Sequence, residues 1–321
     1  MNTSINTGTA LPVISLSLLQ GTDQERRALA HSLADACLHT GFFYVSDHDI
    51  PGELVERVFG ESRALFDLPI DQKEAIHKAY SRANRGYEPL KGQTLEPGSP
   101  PDLKEGFYIG EELDESDPRV RAGRFNQGAN QWPGELSTFR HAMTDYFNAM
   151  NELSARIMQA LALSLGLSQD FFNDFCQQPL STLRLLHYPP QPPNPAPGEK
   201  GCGAHTDFGG VTILLLDDNP GLQVWDARND QWVHANPVPG TFVVNLGDMI
   251  ARWTNDRYRS TMHRVVNSSG AERYSVPFFY SGNPDHEVAC LPACLSHGDQ
   301  PHYPPTTVES HLMEMYRRTY A

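Results

Sequence analysis

"GAHTDFGGVTILLLD", residues 203–217, sets a histidine and an aspartate two positions apart, brackets them with glycines, and runs on into an apolar, β-branched stretch. On an extended backbone residues two apart face the same side, so His205 and Asp207 can present a ring nitrogen and a carboxylate oxygen to one point. The stretch belongs to a series. "STLRLLHY" (181–188), "VTILLLD" (211–217), "GLQVWD" (221–226), "QWVHA" (231–235), "TFVVNLGD" (241–248), "STMHRVVN" (260–267) and "RYSVPFFY" (273–280) are short, β-rich and separated by Gly, Pro, Asn or Asp. Seven candidate strands within 181–280 predict an antiparallel sandwich or barrel, with the jelly roll as the expected version.

Upstream the periodicity is helical. Leu136, Phe139, Met143, Phe147, Met150, Leu153, Ile157, Leu161 and Leu165 recur every three or four residues up to Gly166, which predicts a long core helix over about 135–166. Near the N-terminus "LPVISLSLL" (11–19) reads as a strand. A helix from Asp23 to Gly41, the strand Phe42 to Val45 and further helices after Gly52 and near Asp71 follow. Tyr80 to Trp132 reads as polar loop, long enough to form a lid. "VESHLMEMYRRTY" reads as a closing helix. The expected class is α+β, a double-stranded β-helix (jelly-roll) core flanked by helices. Residues 1–120 form an N-terminal helical and strand region, residues 121–321 form the catalytic core, and the two pack as one unit.

Composition narrows the function classes. A formal net charge of -14 argues against nucleic acid or an anionic membrane as partner and leaves a small-molecule substrate open. No apolar run approaches the roughly eighteen residues of a membrane span. The opening "MNTSINTGTA" lacks the charge and apolar core of a signal peptide, so the expected location is the cytoplasm, as a monomer. Five scattered cysteines are read as free thiols.

His205 and Asp207 supply two metal ligands. The strand "STMHRVV" offers a third, His263, 56 positions beyond Asp207. Two histidines and a carboxylate on one face leave about half of an octahedral metal open, as in non-haem Fe(II) oxygenases. A second H-x-D triplet, His297 and Asp299, lies in a turn-rich stretch without a downstream strand histidine and is read as inert. Ten residues after His263 comes "RYS", whose Arg273 and Ser275 share a strand face. A planar guanidinium fork with a hydroxyl beside it suits a carboxylate. A metal at one end of a pocket and Arg273 at the other fit a short 2-oxo acid such as 2-oxoglutarate.

This pattern, together with "LHYPP", "VVNLGDMIARWTN", "LPVISLSLL" and "GFFYVSDHDIP", resembles the Fe(II)/2-oxoglutarate dioxygenases of the isopenicillin N synthase-like superfamily over nearly the whole chain. The resemblance implies Fe(II) on His205, Asp207 and His263, and the 5-carboxylate of the cosubstrate 2-oxoglutarate on Arg273 and Ser275. Tyr188 would touch the same cosubstrate. It further implies O2 consumption, with succinate and CO2 as coproducts and oxidation, by default hydroxylation, of a small molecule. Many plant members carry an asparagine two residues before the tyrosine, where this chain has Leu186. That departure keeps open an oxidase working without 2-oxoglutarate, and a non-catalytic carboxylate or metal binder is the third reading. Substrate contacts are expected from Arg85, Tyr87 and Phe107 in the polar segment, where "RGY" resembles a substrate-binding stretch of isopenicillin N synthase, and from Arg184 and Tyr280. "LGD" (246–248) reads as a tight turn, and His187 is expected to point away from Tyr188.

Overall fold

The computed structural model describes residues 11–192, 194–296 and 298–320; His297, and with it the second H-x-D triplet, lies outside them. Local chemistry sets the helix starts. Thr22 and Glu25 form a reciprocal capping box, with Thr22 N–H donating to the Glu25 carboxylate at 2.7 Å, and α1 (Asp23–His39) begins there. In chain order follow β1 (Val13–Ser15, ahead of α1), β2 (Phe42–Ser46), α2 (Gly52–Phe66), α3 (Ile70–Ala75), β3 (Gly86–Glu88), β4 (Glu105–Ile109), α4 (Pro118–Arg121) and α5 (Phe139–Ser164). The second half supplies β5 (Ser181–Tyr188), β6 (Cys202–His205), β7 (Val211–Leu216), β8 (Leu222–Asp226), β9 (Gln231–His234) and β10 (Phe242–Leu246). It closes with α6 (Asp248–Trp253), β11 (His263–Val265), β12 (Arg273–Tyr280), β13 (Glu287–Val288), β14 (Thr306–Thr307) and α7 (Val308–Tyr320).

The long strands form an eight-stranded sheet in the order β1-β2-β10-β7-β12-β5-β4-β3, and β6-β11-β8-β9 form a four-stranded sheet. Inner-face residues of both sheets pack together: Leu186, Tyr188 and Val243 from the large one meet Cys202, Leu222, Val224 and Val265 from the small one. This is the jelly-roll sandwich. On its outer face the large sheet carries the main core, where Leu183, Leu185, Ile213, Val244 and Phe278 pack with Met143, Phe147, Met150 and Ile157 of α5 and with Leu29 and Leu33 of α1. Alternation along each strand therefore separates two environments, a helix-covered core and an inter-sheet cavity. Among the described residues no helix is long and apolar enough to cross a membrane.

Three sequence expectations are corrected. "LPVISLSLL" is a three-residue strand, Val13–Ser15, followed by a 3-10 turn over Leu16–Gln20, because β1 has only a short partner register on β2. The supposed loop 80–132 contains β3 and β4, which extend the main sheet beyond β5 and are wholly buried. Their charges escaped notice because they pair inside: Glu105 takes Lys73 Nζ at 2.9 Å, His187 Nδ1 at 2.8 Å and Tyr87 Oη at 2.5 Å. "LGD" leaves a strand but enters a helix, since Asp248 is the first residue of α6. His187 does point away from Tyr188, toward Glu105.

Candidate metal and cosubstrate site

His205 ends β6 and His263 begins β11, and the antiparallel register sets the two directly opposite each other. Their ring centroids are 4.3 Å apart. Asp207, two residues on, brings Oδ1 to 3.8 Å from the Nε2 atom of each. One ligand atom from each residue lies within 4.8 Å of the others, a spacing that a single ion can bridge.

The surrounding bonds leave the right atoms free. His205 Nδ1–H donates to the Gly203 carbonyl at 2.8 Å and His263 Nδ1–H to the Thr261 carbonyl at 3.2 Å, so each Nε2 keeps its lone pair toward the centre. Asp207 Oδ2 accepts from Thr212 Oγ1 at 2.6 Å and Asn245 Nδ2 at 2.7 Å, which turns Oδ1 inward. Burial pushes the pKa of both histidines down, that of His263 to about 4 with the neighbouring His205 adding to the effect. Burial alone would raise the Asp207 carboxyl, but His263, His205, Asn245 and Thr212 together hold it below its usual range. Neutral imidazoles beside a carboxylate are the ionisation state a divalent metal requires.

Beyond the triad, a cavity between the sheets is lined by Leu186, Tyr188, Leu214, Arg273, Ser275 and Phe279. Arg273 is 1% exposed, its Nε and Nη1 have no hydrogen-bond partner among the described residues, and its Cζ lies 4.9 Å from the Tyr188 ring centroid. A buried guanidinium with open donors is costly unless an anion completes it. The donor set thus fits both a divalent metal and a carboxylate held at a distance from it.

Residues 179–282 match the 2OG-Fe(II) oxygenase superfamily, and residues 11–135 match the family described as non-haem dioxygenase in morphine synthesis, N-terminal. A 2-oxoglutarate-Fe(II) type oxidoreductase, hxnY of Emericella nidulans, is 46% identical over 317 residues, covering 97% of this chain and 91% of its own. The chain belongs to the 2-oxoglutarate/Fe(II) oxygenase superfamily. It is an Fe(II)- and 2-oxoglutarate-dependent dioxygenase that acts with O2 on a small molecule. Two solved oxygenases share its fold. Neurospora crassa T7H in complex with alpha-KG superposes with a TM-score of 0.86 at 29% identity, covering 98% of both chains. A 2OG-Fe(II) oxygenase family protein from Caulobacter crescentus gives 0.84 at 33% identity, covering 97% of this chain and 99% of its own.

In this oxygenase a second pocket adjoins the triad at His205 and Asp207, with about 610 Å³ of empty space out to its mouth. Phe125, Phe208, Phe279 and Tyr316 give it aromatic walls, and Asn126, Thr182 and Arg184 give it polar groups. The five substrate candidates divide. Arg184 lines both pockets, its guanidinium held between the rings of Tyr108 at 4.5 Å and Phe279 at 4.7 Å. Arg85 is 2% exposed and donates Nη2–H to the Asn126 carbonyl at 2.7 Å, while its Nε and Nη1 have no hydrogen-bond partner among the described residues. Burial drives its pKa down to about 10, with the charge of Arg184 working in the same direction. Gly110 permits the approach, because a Cβ there would lie 1.9 Å from the Arg85 guanidinium.

Tyr87, Phe107 and Tyr280 are corrections. Phe107 pairs with Leu185 and Tyr87 with Phe107, so both share the helix-covered face, where Phe107 packs on Phe139 at 5.6 Å. Tyr280 alternates with Phe279 and turns into the core against Phe175 at 5.8 Å. Period-two parity counted from Arg273 contained that answer. The residues that sequence reasoning missed are Thr212 and Asn245, which orient Asp207, and the aromatic walls. Only Asn245 carried a signal, as a polar residue within an apolar strand.

Proposed function

We propose that the oxygenase holds Fe(II) on His205, Asp207 and His263, and holds 2-oxoglutarate with its distal carboxylate on Arg273 and Ser275. The observation that carries this is the pairing of a three-donor centre with a buried, open-handed Arg273 in one inter-sheet cavity. When bound, iron with O2 and 2-oxoglutarate supplies the oxidising chemistry, one oxygen atom going to succinate as CO2 leaves and the second oxidising a substrate C–H bond, by default to C–OH. The chain's own residues bind, orient and exclude water. Arg273 fixes the cosubstrate by its far end, and Tyr188 stacks on that guanidinium and reaches the Ser275 hydroxyl. Leu186, Leu214 and Phe279 wall the carbon chain off from water.

The substrate occupies the aromatic pocket. Neurospora crassa T7H has been solved in complex with alpha-KG and thymine and with alpha-KG and 5-formyluracil. Phe208, Phe279 and Tyr316 offer flat faces for such a planar ring, and Arg184 offers donors for its carbonyl oxygens. Arg85, behind Asn126, adds positive potential to the same wall. A small planar ring bearing carbonyl or carboxylate groups is therefore the proposed substrate class, processed by a cytoplasmic monomer whose N-terminal and core regions work as one unit. The test is a panel of heteroaromatic carbonyl compounds, assayed for stimulated CO2 release from labelled 2-oxoglutarate. A planar compound should raise release well above the unstimulated rate, and stimulation only by aliphatic amino acids or peptides overturns the class.

A further inference from the structure

Lys104 is 4% exposed and lines the same inter-sheet cavity as Arg273 and the metal-binding triad. It lies one residue before Glu105, which pairs with His187, and so stands beside Tyr188; Tyr188 in turn pairs with Arg273. Lys104, Tyr188 and Arg273 thus form a row across three neighbouring strands at one end of the cavity. Of the three N–H donors of the ammonium, one goes to Asp102 and one lies 3.6 Å from Cys202 Sγ, which leaves one for a ligand. Burial works against its charge, but Cys202 and Asp102 outweigh that and hold it above its ordinary range.

The ion pair is not needed merely to fasten the wall. Asp102 Oδ1 already accepts Gly203 N–H at 2.9 Å and ties that segment to β6 without the lysine. Burying an ammonium costs desolvation that an apolar residue would avoid. Leu186, the nearest cavity-facing neighbour along β5, offers no polar contact to a second anionic oxygen. We propose that Lys104 is a second cationic contact for the distal carboxylate of 2-oxoglutarate, sharing it with Arg273 across Tyr188. The inference rests on the 2-oxoglutarate reading of this cavity.

The test compares two ligands on Fe(II)-loaded protein without O2, 2-oxoglutarate and 2-oxopentanoate, which has the same chain but no distal carboxylate. Binding is read from the visible charge-transfer band and by calorimetry, with melting and Fe(II) affinity measured in parallel. Lys104→Met should weaken 2-oxoglutarate by about tenfold or more, as loss of one charged hydrogen bond does. The same variant should leave 2-oxopentanoate and Fe(II) binding unchanged. Asp102→Asn, which keeps the acceptor for Gly203 and frees the ammonium, should hold or tighten 2-oxoglutarate, and it serves as the second variant if Lys104→Met does not fold. Equal weakening of both ligands by Lys104→Met, unchanged 2-oxoglutarate affinity, or loss of 2-oxoglutarate binding in Asp102→Asn overturns the role. Absence of any band from 2-oxoglutarate in the unaltered protein overturns the cosubstrate reading instead.

Discussion

The Asn245 side-chain amide donates to Asp207 Oδ2 at 2.7 Å and so decides which carboxylate oxygen faces the two histidines. Asn245 lies on the large sheet, two strands from its edge, whereas both histidines belong to the small sheet. The candidate metal-binding face is therefore assembled across the sandwich.

Removing this outer support should loosen the metal without removing a ligand. Asn245→Leu is expected to lower Fe(II) affinity by about ten- to a hundredfold, as outer partners of metal ligands commonly do. Anaerobic calorimetry with Fe(II) measures it, and affinity equal to that of the unaltered protein refutes the clamp.

Arg273 should act on the cosubstrate alone. Arg273→Leu removes the guanidinium without leaving a polar stump, and is expected to raise the KM for 2-oxoglutarate by about a hundredfold, within the range for truncating one side of a buried charged pair. Fe(II) affinity should hold. A variant with unchanged KM would mean that the cosubstrate lies elsewhere.

Arg85 has a different signature, because its charge is buried without an ion-pair partner among the described residues. Arg85→Met should leave the free protein as stable or more stable by about 1 kcal/mol, since an apolar residue replaces an uncompensated charge. Substrate-stimulated CO2 release should fall at the same time. Paired denaturation curves and turnover assays give both numbers, and a large loss of stability with normal turnover would make Arg85 a structural residue.

Phe107 tests the reassignment to the core. Phe107→Ala empties a fully buried site against Phe139 and should cost about 3–5 kcal/mol of stability. Where the variant folds, its affinity for 2-oxoglutarate should match that of the unaltered protein, read by the charge-transfer titration.

The pH dependence of the metal-free protein follows from the two histidines. Burial lowers both, and that of His263 falls from 6.5 in the unfolded chain to about 4 in the folded one. As pH falls, the unfolded chain takes up the proton first. Stability from this site is therefore complete above pH 6.5, declines as pH falls toward about 4, and levels off below that. Denaturation midpoints across the window should show the slope in the unaltered protein, with a shallower one in His263→Gln.

Much of the centre was written in local order. H-x-D and R-x-S need only an extended backbone for their side chains to share a face, and the parity rule supplies that from sequence. The jelly roll followed from turn residues spaced between β-rich runs, and α5 from its three-to-four spacing. The segment 80–132 was misread because Glu88, Lys104 and Glu105 look solvent-bound by composition but are buried, each against a partner distant in sequence or around a turn. Composition cannot distinguish a charge neutralised by water from one neutralised by another buried charge.

The sequence by itself determined the candidate donor residues, the strands that carry them and the pairs that share a face, because these depend on one backbone's periodicity. Only the tertiary structure decided which face looks into the cavity. It turned Arg184 toward the pocket, sent Tyr87, Phe107 and Tyr280 into the core, and brought Asn245 and Lys104 to the site. Those choices depend on what the facing sheet and helix present, and contacts between residues far apart in the chain leave no periodic trace in either partner.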